Sequence, residues 1–116
     1  MKSNIKCLTH HFYNIILDYI INMKFISLEK SNKPNKKLVI KFSDPNLTIH
    51  FGSKNSSTFL DHYDKVERSN YLKRHKVNED WNQINAGSLS RYLLWGSSTD
   101  LYENLFNYLD KFNIIF

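Results

Sequence analysis

The chain has 116 residues and a net charge of +5, with 41% hydrophobic and 23% charged residues. This length suits one domain with one core and excludes two independent catalytic domains, and an aromatic content of 15% argues against a disordered chain. The single cysteine, Cys7, excludes an intramolecular disulfide and a zinc site built from several cysteines.

Residues 5–22 predict an amphipathic helix, because apolar side chains recur on one face at helical spacing. His10, Asn14 and Asp18 interrupt the segment, whereas a transmembrane helix needs about 20 consecutive apolar residues. We expect this helix to pack on the core; the alternative is docking on a partner or a membrane surface. The apolar face comprises Ile5, Leu8, Phe12, Ile15, Ile16, Tyr19 and Ile20.

A small antiparallel sheet is predicted from the next part of the chain. Apolar and β-forming residues concentrate in segments 25–28, 38–42 and 47–51. A turn signal at residues 44–46, which includes a proline, separates the last two segments. The last segment alternates apolar and polar residues, which indicates a strand with one buried face.

Three helices are predicted after the sheet. The first runs from about Thr58 to Lys76, with Thr58 as its N-cap. Residues 77–85 form a connector, and residues 86–95 form a helix that is apolar nearly all round and therefore buried. The last helix begins at Ser97 or Ser98, ends near Phe112 and has an apolar stripe on one face.

These elements predict an α+β fold, in which a small antiparallel three-stranded sheet has helices packed on one face. Residues 23–116 form a single α+β domain, because the chain has no internal repeat and no linker long enough to divide it. The amphipathic helix of residues 1–22 precedes this domain.

The net positive charge lies in residues 24–41, whereas acidic residues balance the basic ones in residues 61–80. Residues 24–41 carry six lysines against one glutamate, and a second basic group at residues 73–76 ends the predicted helix. Clustered cations can bind nucleic-acid phosphates, but a solvated lysine-rich loop and a helix end that favours cations give the same pattern. The candidate nucleic-acid-binding residues are Lys33, Lys36, Lys37, Lys73, Arg74 and Lys76.

No catalytic, metal or cofactor pattern is recognised. The five histidines do not have the spacing of metal ligands, and the glycines are isolated, so no phosphate-binding loop is predicted. Cys7 has only His10 and His11 as nearby bases, and we expect an incidental thiol. We therefore expect no cofactor and no metal, and we rank an enzyme third among the function classes.

Two adjacent carboxylates, Glu79 and Asp80, stand just before Trp81. Such a pair can bind a metal or activate water. It can equally form ion pairs with Arg74 or Arg91, with the indole as a core anchor, and we expect this structural role.

Four short motifs follow one another between residues 51 and 95. Together they resemble a small family of uncharacterised proteins in large nucleocytoplasmic DNA viruses, such as giant viruses of algae and amoebae. The resemblance extends over residues 23–95; the loop 53–59 departs from the family pattern, and Tyr92 stands where the family often has tryptophan. The motifs are Phe51-Gly52, Asp64…Glu67-Arg68…Tyr71-Leu72…Arg74-His75, Glu79-Asp80-Trp81 and Ala86-Gly87…Ser90-Arg91-Tyr92-Leu93-Leu94-Trp95.

The resemblance carries no established activity. It implies a non-enzymatic structural or interaction protein of a large DNA virus, with a minor virion component as the expected role. Its partners would be proteins, including other virion proteins, in the virion or the cytoplasm of the infected host, and no membrane partner is expected. The alternative function is a nucleic-acid-binding accessory protein.

All three arginines of the chain lie within these motifs. Because arginine suits fixed bidentate pairing better than lysine, we expect them to hold nearby carboxylates in place. The candidate carboxylates are Asp64, Glu67, Glu79 and Asp80. The predicted structural motif comprises Arg68, Arg74, Arg91, Glu79, Asp80, Trp81 and Trp95.

Overall fold

The computed structural model describes residues 23–116. Its elements confirm the predicted α+β class, whereas the predicted helix of residues 1–22 lies outside the described residues. The strands are β1 (Lys24–Lys30), β2 (Lys36–Ser43) and β3 (Leu47–Ser53). The helices are α1 (Phe59–His62), α2 (Lys65–Lys76), α3 (Ala86–Leu89) and α4 (Leu101–Lys111), and a π-helical turn, Ser90–Leu94, continues α3.

The three strands form one antiparallel sheet in the order β1-β2-β3, as predicted. In β2 and β3, Ile40 pairs with Ile49 and Leu38 with Phe51. Because side chains alternate between the two faces of a strand, this register brings the apolar residues to one face. Ile40 and Phe51 are fully buried there, and the helices cover this face.

The opposite face of the sheet, which we call the outer face, is polar. Lys41 pairs with Thr48, and Val39 pairs with His50 and with Glu29. The polar side chains surround Val39, which is therefore buried although it lies on the outer face.

The segment predicted as one helix from Thr58 to Lys76 contains two helices, so this prediction is wrong. The Thr58 backbone N–H donates to a carboxylate oxygen of Asp61 at 2.7 Å, which confirms the predicted start. The chain then turns at Tyr63, whose φ of 58° is left-handed. The Asp64 carboxylate accepts backbone N–H groups of the next turn at 2.9 and 3.2 Å, and this N-cap starts α2.

The last helix begins later than predicted. Asp100 is its N-cap and accepts the backbone N–H groups of Tyr102 and Glu103. The predicted start at Ser97 or Ser98 is therefore wrong, because the capping carboxylate lies further along the chain.

The chain ends beside the start of the sheet. The Ile115 N–H donates to the Met23 carbonyl at 2.9 Å, and the Phe25 N–H donates to the Ile115 carbonyl at 2.7 Å. These bonds cover part of the free edge of β1. Within residues 23–116, no helix has both the length and the hydrophobicity that crossing a membrane requires.

Candidate ligand-binding cleft

An open cleft of about 610 Å³ lies between the end of the sheet, the loop after β3, and helices α2 and α3. All four sequence motifs contribute to its lining, although they are separated along the chain. The lining includes Gly52, Tyr71, Arg74, His75, Glu79 and Trp95.

A stack of three rings forms one wall. The Tyr71 ring lies between His75, with centroids 4.0 Å apart, and Trp95, with centroids 4.3 Å apart and planes within 6°. Tyr71 and Trp95 are buried, whereas His75 is partly exposed to the cleft. Burial, reinforced by the charge of Glu79, raises the pKa of Tyr71 to about 12. The phenol is therefore neutral at physiological pH.

The Glu79 carboxylate is held by two partners. One oxygen lies 2.8 Å from Nδ1 of His75, and the other accepts the indole N–H of Trp81 at 2.9 Å. The carboxylate also packs on Gly87, where an added Cβ would lie 3.0 Å from the carboxyl carbon. Glu79 therefore pairs with histidine, and the expectation that it pairs with Arg74 or Arg91 is wrong.

Asp80 shapes the connector through local hydrogen bonds. Its carboxylate accepts the backbone N–H of Asn82 at 2.9 Å, and its carbonyl accepts the Asn85 side chain at 3.0 Å. Asn85 in turn caps α3. The Asp80 carboxylate thus acts in a turn rather than in an ion pair with arginine.

Arg68 connects α2 to the end of the π-helical turn. Its Nε donates to the carbonyls of Trp95 at 3.0 Å and of Gly96 at 2.9 Å, and its guanidinium lies 5.6 Å from the Phe59 ring centroid. These carbonyls follow a helical turn and lack regular helical partners. Arg68 is structural, as expected, but its partners are carbonyls and an aromatic ring.

Arg91 has similar partners. Its guanidinium lies 5.0 Å from the Trp81 ring and 4.6 Å from the Tyr92 ring, and it donates to the Trp95 carbonyl at 3.3 Å. Across residues 23–116, no arginine lies within 4.0 Å of a carboxylate. The predicted arginine–carboxylate pairs are therefore wrong. Arg68 bonds to carbonyls, whereas Arg91 packs on ring faces and its buried Nε has no hydrogen-bond partner.

The six candidate nucleic-acid-binding residues do not form one site. Lys36, near the β1–β2 turn, and Arg74, near the end of α2, line the same cleft. Lys37 instead donates to the Ser56 carbonyl at 2.9 Å. Lys33, Lys73 and Lys76 are exposed and do not line the cleft.

Lysine charge also accumulates around His50 on the outer face. The Nδ1 atom of His50 lies 2.7 Å from the Ser31 hydroxyl. Partial burial, followed by the charges of Lys33, Lys36 and Lys41, lowers the pKa of His50 below its usual value. Lys41 and Glu29 share the outer face with His50.

The sequence did not reveal the cleft or the pairing of His75 with Glu79. The helical i,i+4 rule gave no signal for this pair, because Glu79 lies three residues beyond the end of α2 at Lys76. The hydroxyl groups of the loop after β3 gave no signal, since only the fold brings them to the cleft. In the part of the chain that the structure describes, no group of three or more histidine, cysteine or acidic residues could hold a metal.

Residues 26–75 match the model of a family of unknown function, DUF5754. The match covers most of the sheet and most of α2, including the cleft residues Gly52, Tyr71, Arg74 and His75. No curated protein and no solved structure matches the chain significantly. Over these residues, the chain is similar to the DUF5754 family.

Proposed function

We propose that this protein is a non-enzymatic interaction protein that recognises its partner through the cleft. The observation that supports this is the convergence of all four motifs on one open cavity. Concave sites with a few convergent polar groups are the usual binding sites of proteins.

Catalysis has less support from the same geometry. A histidine held by a carboxylate resembles part of a nucleophile–base system. In the described residues, however, the His75 side chain hydrogen-bonds to Glu79, and no serine, threonine or cysteine hydroxyl or thiol hydrogen-bonds to it. A binding role needs only the cleft and its fixed wall.

The proposal includes an origin in a large DNA virus and a place in the virion or in the cytoplasm of the infected host. This part is supported by the motif resemblance over residues 51–95. The family match overlaps that segment up to residue 75. Other virion proteins are the expected partners.

Mass spectrometry of purified particles of the encoding virus tests the virion role. We expect peptides of this protein in stoichiometric amounts relative to other minor virion proteins. Particles that lack the protein would reject this role.

Site-directed photocrosslinking tests recognition at the cleft. A photoreactive phenylalanine analogue replaces Ser57, an exposed cleft residue, and a matched variant carries it at Asn107, which is exposed on α4 outside the cleft. We expect a crosslink to a defined virion protein from position 57 alone. Equal crosslinking from both positions would reject the cleft as the contact site.

A second candidate function, nucleic-acid binding, is favoured by the lysines around His50. Phosphate contacts of this kind release counterions, so affinity falls steeply with salt. We expect a single-stranded oligonucleotide to bind more weakly at higher salt and more weakly to Lys33→Glu than to the unchanged chain. Binding that is absent or insensitive to salt would reject this candidate.

A further inference from the structure

We infer that the cleft binds a phosphate monoester, a dianionic group that a phosphorylated side chain of the partner would carry. This inference rests on the proposed function, since it names the chemistry of recognition at the same cleft. It depends on which charges in the cleft already have partners, on the hydroxyl groups beside them, and on the access to the aromatic wall.

The carboxylate of Glu79 is not available to a ligand. Both of its oxygens are occupied, one by His75 and one by Trp81. Its packing on Gly87 leaves little room for movement. This carboxylate and the histidine therefore form a closed unit within the wall.

Two cations of the cleft have no such partner. Within residues 23–116, neither Lys36 nor Arg74 has a carboxylate within 4.0 Å, and neither side chain makes a hydrogen bond. Glu67 is the remaining acidic residue of the lining. Hydrogen bonds do not cancel the charge of Glu79, so two cations and two carboxylates line the cleft. The donors of Lys36 and Arg74 are the charged groups that an anionic ligand could engage.

Hydroxyl groups extend the set of donors. Ser53 ends β3, Ser56 and Ser57 come from the loop after it, and Ser90 comes from the π-helical turn on the other side. Phosphate oxygens accept several hydrogen bonds at once, and arginine binds them with a planar fork of donors. A phosphate monoester has three terminal oxygens that can accept from the cations and the hydroxyl groups together, whereas a carboxylate has two.

The aromatic wall disfavours single-stranded nucleic acid at this site. Proteins that bind single strands stack bases on accessible aromatic rings. Here Tyr71 is 8% exposed and Trp95 is 7% exposed, and Tyr71 is enclosed between Trp95 and His75. Both faces of Tyr71 are therefore covered, and the stack offers a base only the partly exposed ring of His75. One isolated phosphate group fits better.

NMR titration of the full chain tests the inference, with O-phospho-L-serine, inorganic phosphate and unphosphorylated serine as probes. We expect O-phospho-L-serine to shift the signals of Arg74 and His75, and serine to leave them unchanged. If O-phospho-L-serine binds saturably and at least as tightly as inorganic phosphate, the result supports recognition of a phosphorylated side chain. If inorganic phosphate binds much more tightly, the site recognises free phosphate, and the inference of a phosphorylated partner is overturned.

Matched variants locate the binding. Lys36→Gln and Arg74→Gln should each weaken binding of O-phospho-L-serine at least tenfold, whereas Lys33→Gln and Lys73→Gln, which change nearby lysines outside the cleft, should change it less than twofold. The replaced side chains are exposed, and unchanged thermal unfolding checks that each variant folds.

Equal losses in all four variants, or shifts confined to His50, would overturn the inference. The inference would also be overturned if an oligonucleotide displaced the probe and its binding were weakened as much by Lys33→Gln as by the cleft variants, because the anion site would then belong to nucleic acid. Because crosslinking from position 57 does not require phosphate, failure here can be distinguished from failure of the proposed function.

Discussion

The side chain of Arg68 fixes the backbone of Trp95, whose carbonyl accepts the Arg68 Nε–H at 3.0 Å. Trp95 is also stacked on Tyr71, which lies on the same helix as Arg68. Helix α2 therefore holds this residue by its backbone and by its ring. The wall of the cleft is fixed before any ligand arrives, which lowers the entropic cost of binding.

Replacing Arg68 with lysine should destabilise the protein. Lysine has a methylene group where arginine has its Nε–H, so it cannot donate to the two carbonyls from that position. We therefore expect Arg68→Lys to lower the free energy of unfolding by about 1–2 kcal/mol. Urea denaturation measures this change. Arg74→Lys is the matched control and should cost less than about 0.5 kcal/mol, because Arg74 is exposed at the cleft. Equal losses would contradict the assigned roles.

Asn104 is a buried polar residue that organises the segment between the π-helical turn and α4. Its side-chain amide donates to the carbonyls of Leu93 at 3.0 Å and Ser98 at 2.8 Å, and its oxygen accepts the Ser98 N–H at 3.1 Å. Because Asn104→Ala leaves these groups without their partners, we expect a loss of about 3 kcal/mol in the free energy of unfolding. The exposed Asn107→Ala is the control. A loss below about 1 kcal/mol for Asn104→Ala would show that the carbonyls find other partners.

The buried hydroxyl of Tyr108 links α4 to α3. It lies 2.8 Å from the Ser88 hydroxyl, and both residues are almost completely buried. Tyr108→Phe keeps the ring and removes this bond, so we expect a loss of about 1–2 kcal/mol in thermal or urea unfolding. The exposed Tyr102→Phe should change little. If the two variants lose equal stability, the hydrogen bond is not the cause.

Stability should fall at alkaline pH. Burial raises the pKa of Tyr71 to about 12, and it also raises the pKa of Tyr108 above the usual value near 10. Above pH 10 the unfolded state loses phenol protons that the folded state keeps, so the free energy of unfolding decreases as pH rises. Urea denaturation between pH 8 and 11 measures this. The double variant Tyr71→Phe/Tyr108→Phe should show a weaker decrease, and an unchanged decrease would contradict this origin.

The sheet was predictable because its determinants are local. The alternation in residues 47–51 and the apolar segment 38–42 predicted strands with one buried face, and the register found in the structure places their apolar residues on that face. The helix boundaries were harder, because a single capping carboxylate decides them. Asp64 and Asp100 are each the N-cap of a helix, at positions that the pattern of apolar residues does not mark as helix starts.

The partners of the motif residues could not be predicted from the sequence. Residue type indicated that Arg68 and Arg91 are structural, but it also favoured carboxylate partners. The carbonyls of Trp95 and Gly96 become available only because the chain leaves a helix at that point. The cleft likewise forms where segments that are distant in the sequence pack together, and local sequence patterns do not predict such packing.

The π-helical turn accommodates one extra residue within residues 86–95. The Trp95 N–H donates to the carbonyl five residues earlier, at Ser90, so this turn holds one residue more than an α-helical turn. Deleting one residue from this turn and restoring α-helical winding would leave Trp95 near its present angular position, because five π-helical residues and four α-helical residues each complete about one turn. Inserting a further residue without another wide turn would instead rotate Trp95 by about 100° around the helix axis and remove the indole from Tyr71. Chains that share this cleft but have one residue fewer here should therefore form an ordinary α-helical turn and keep the stacked rings.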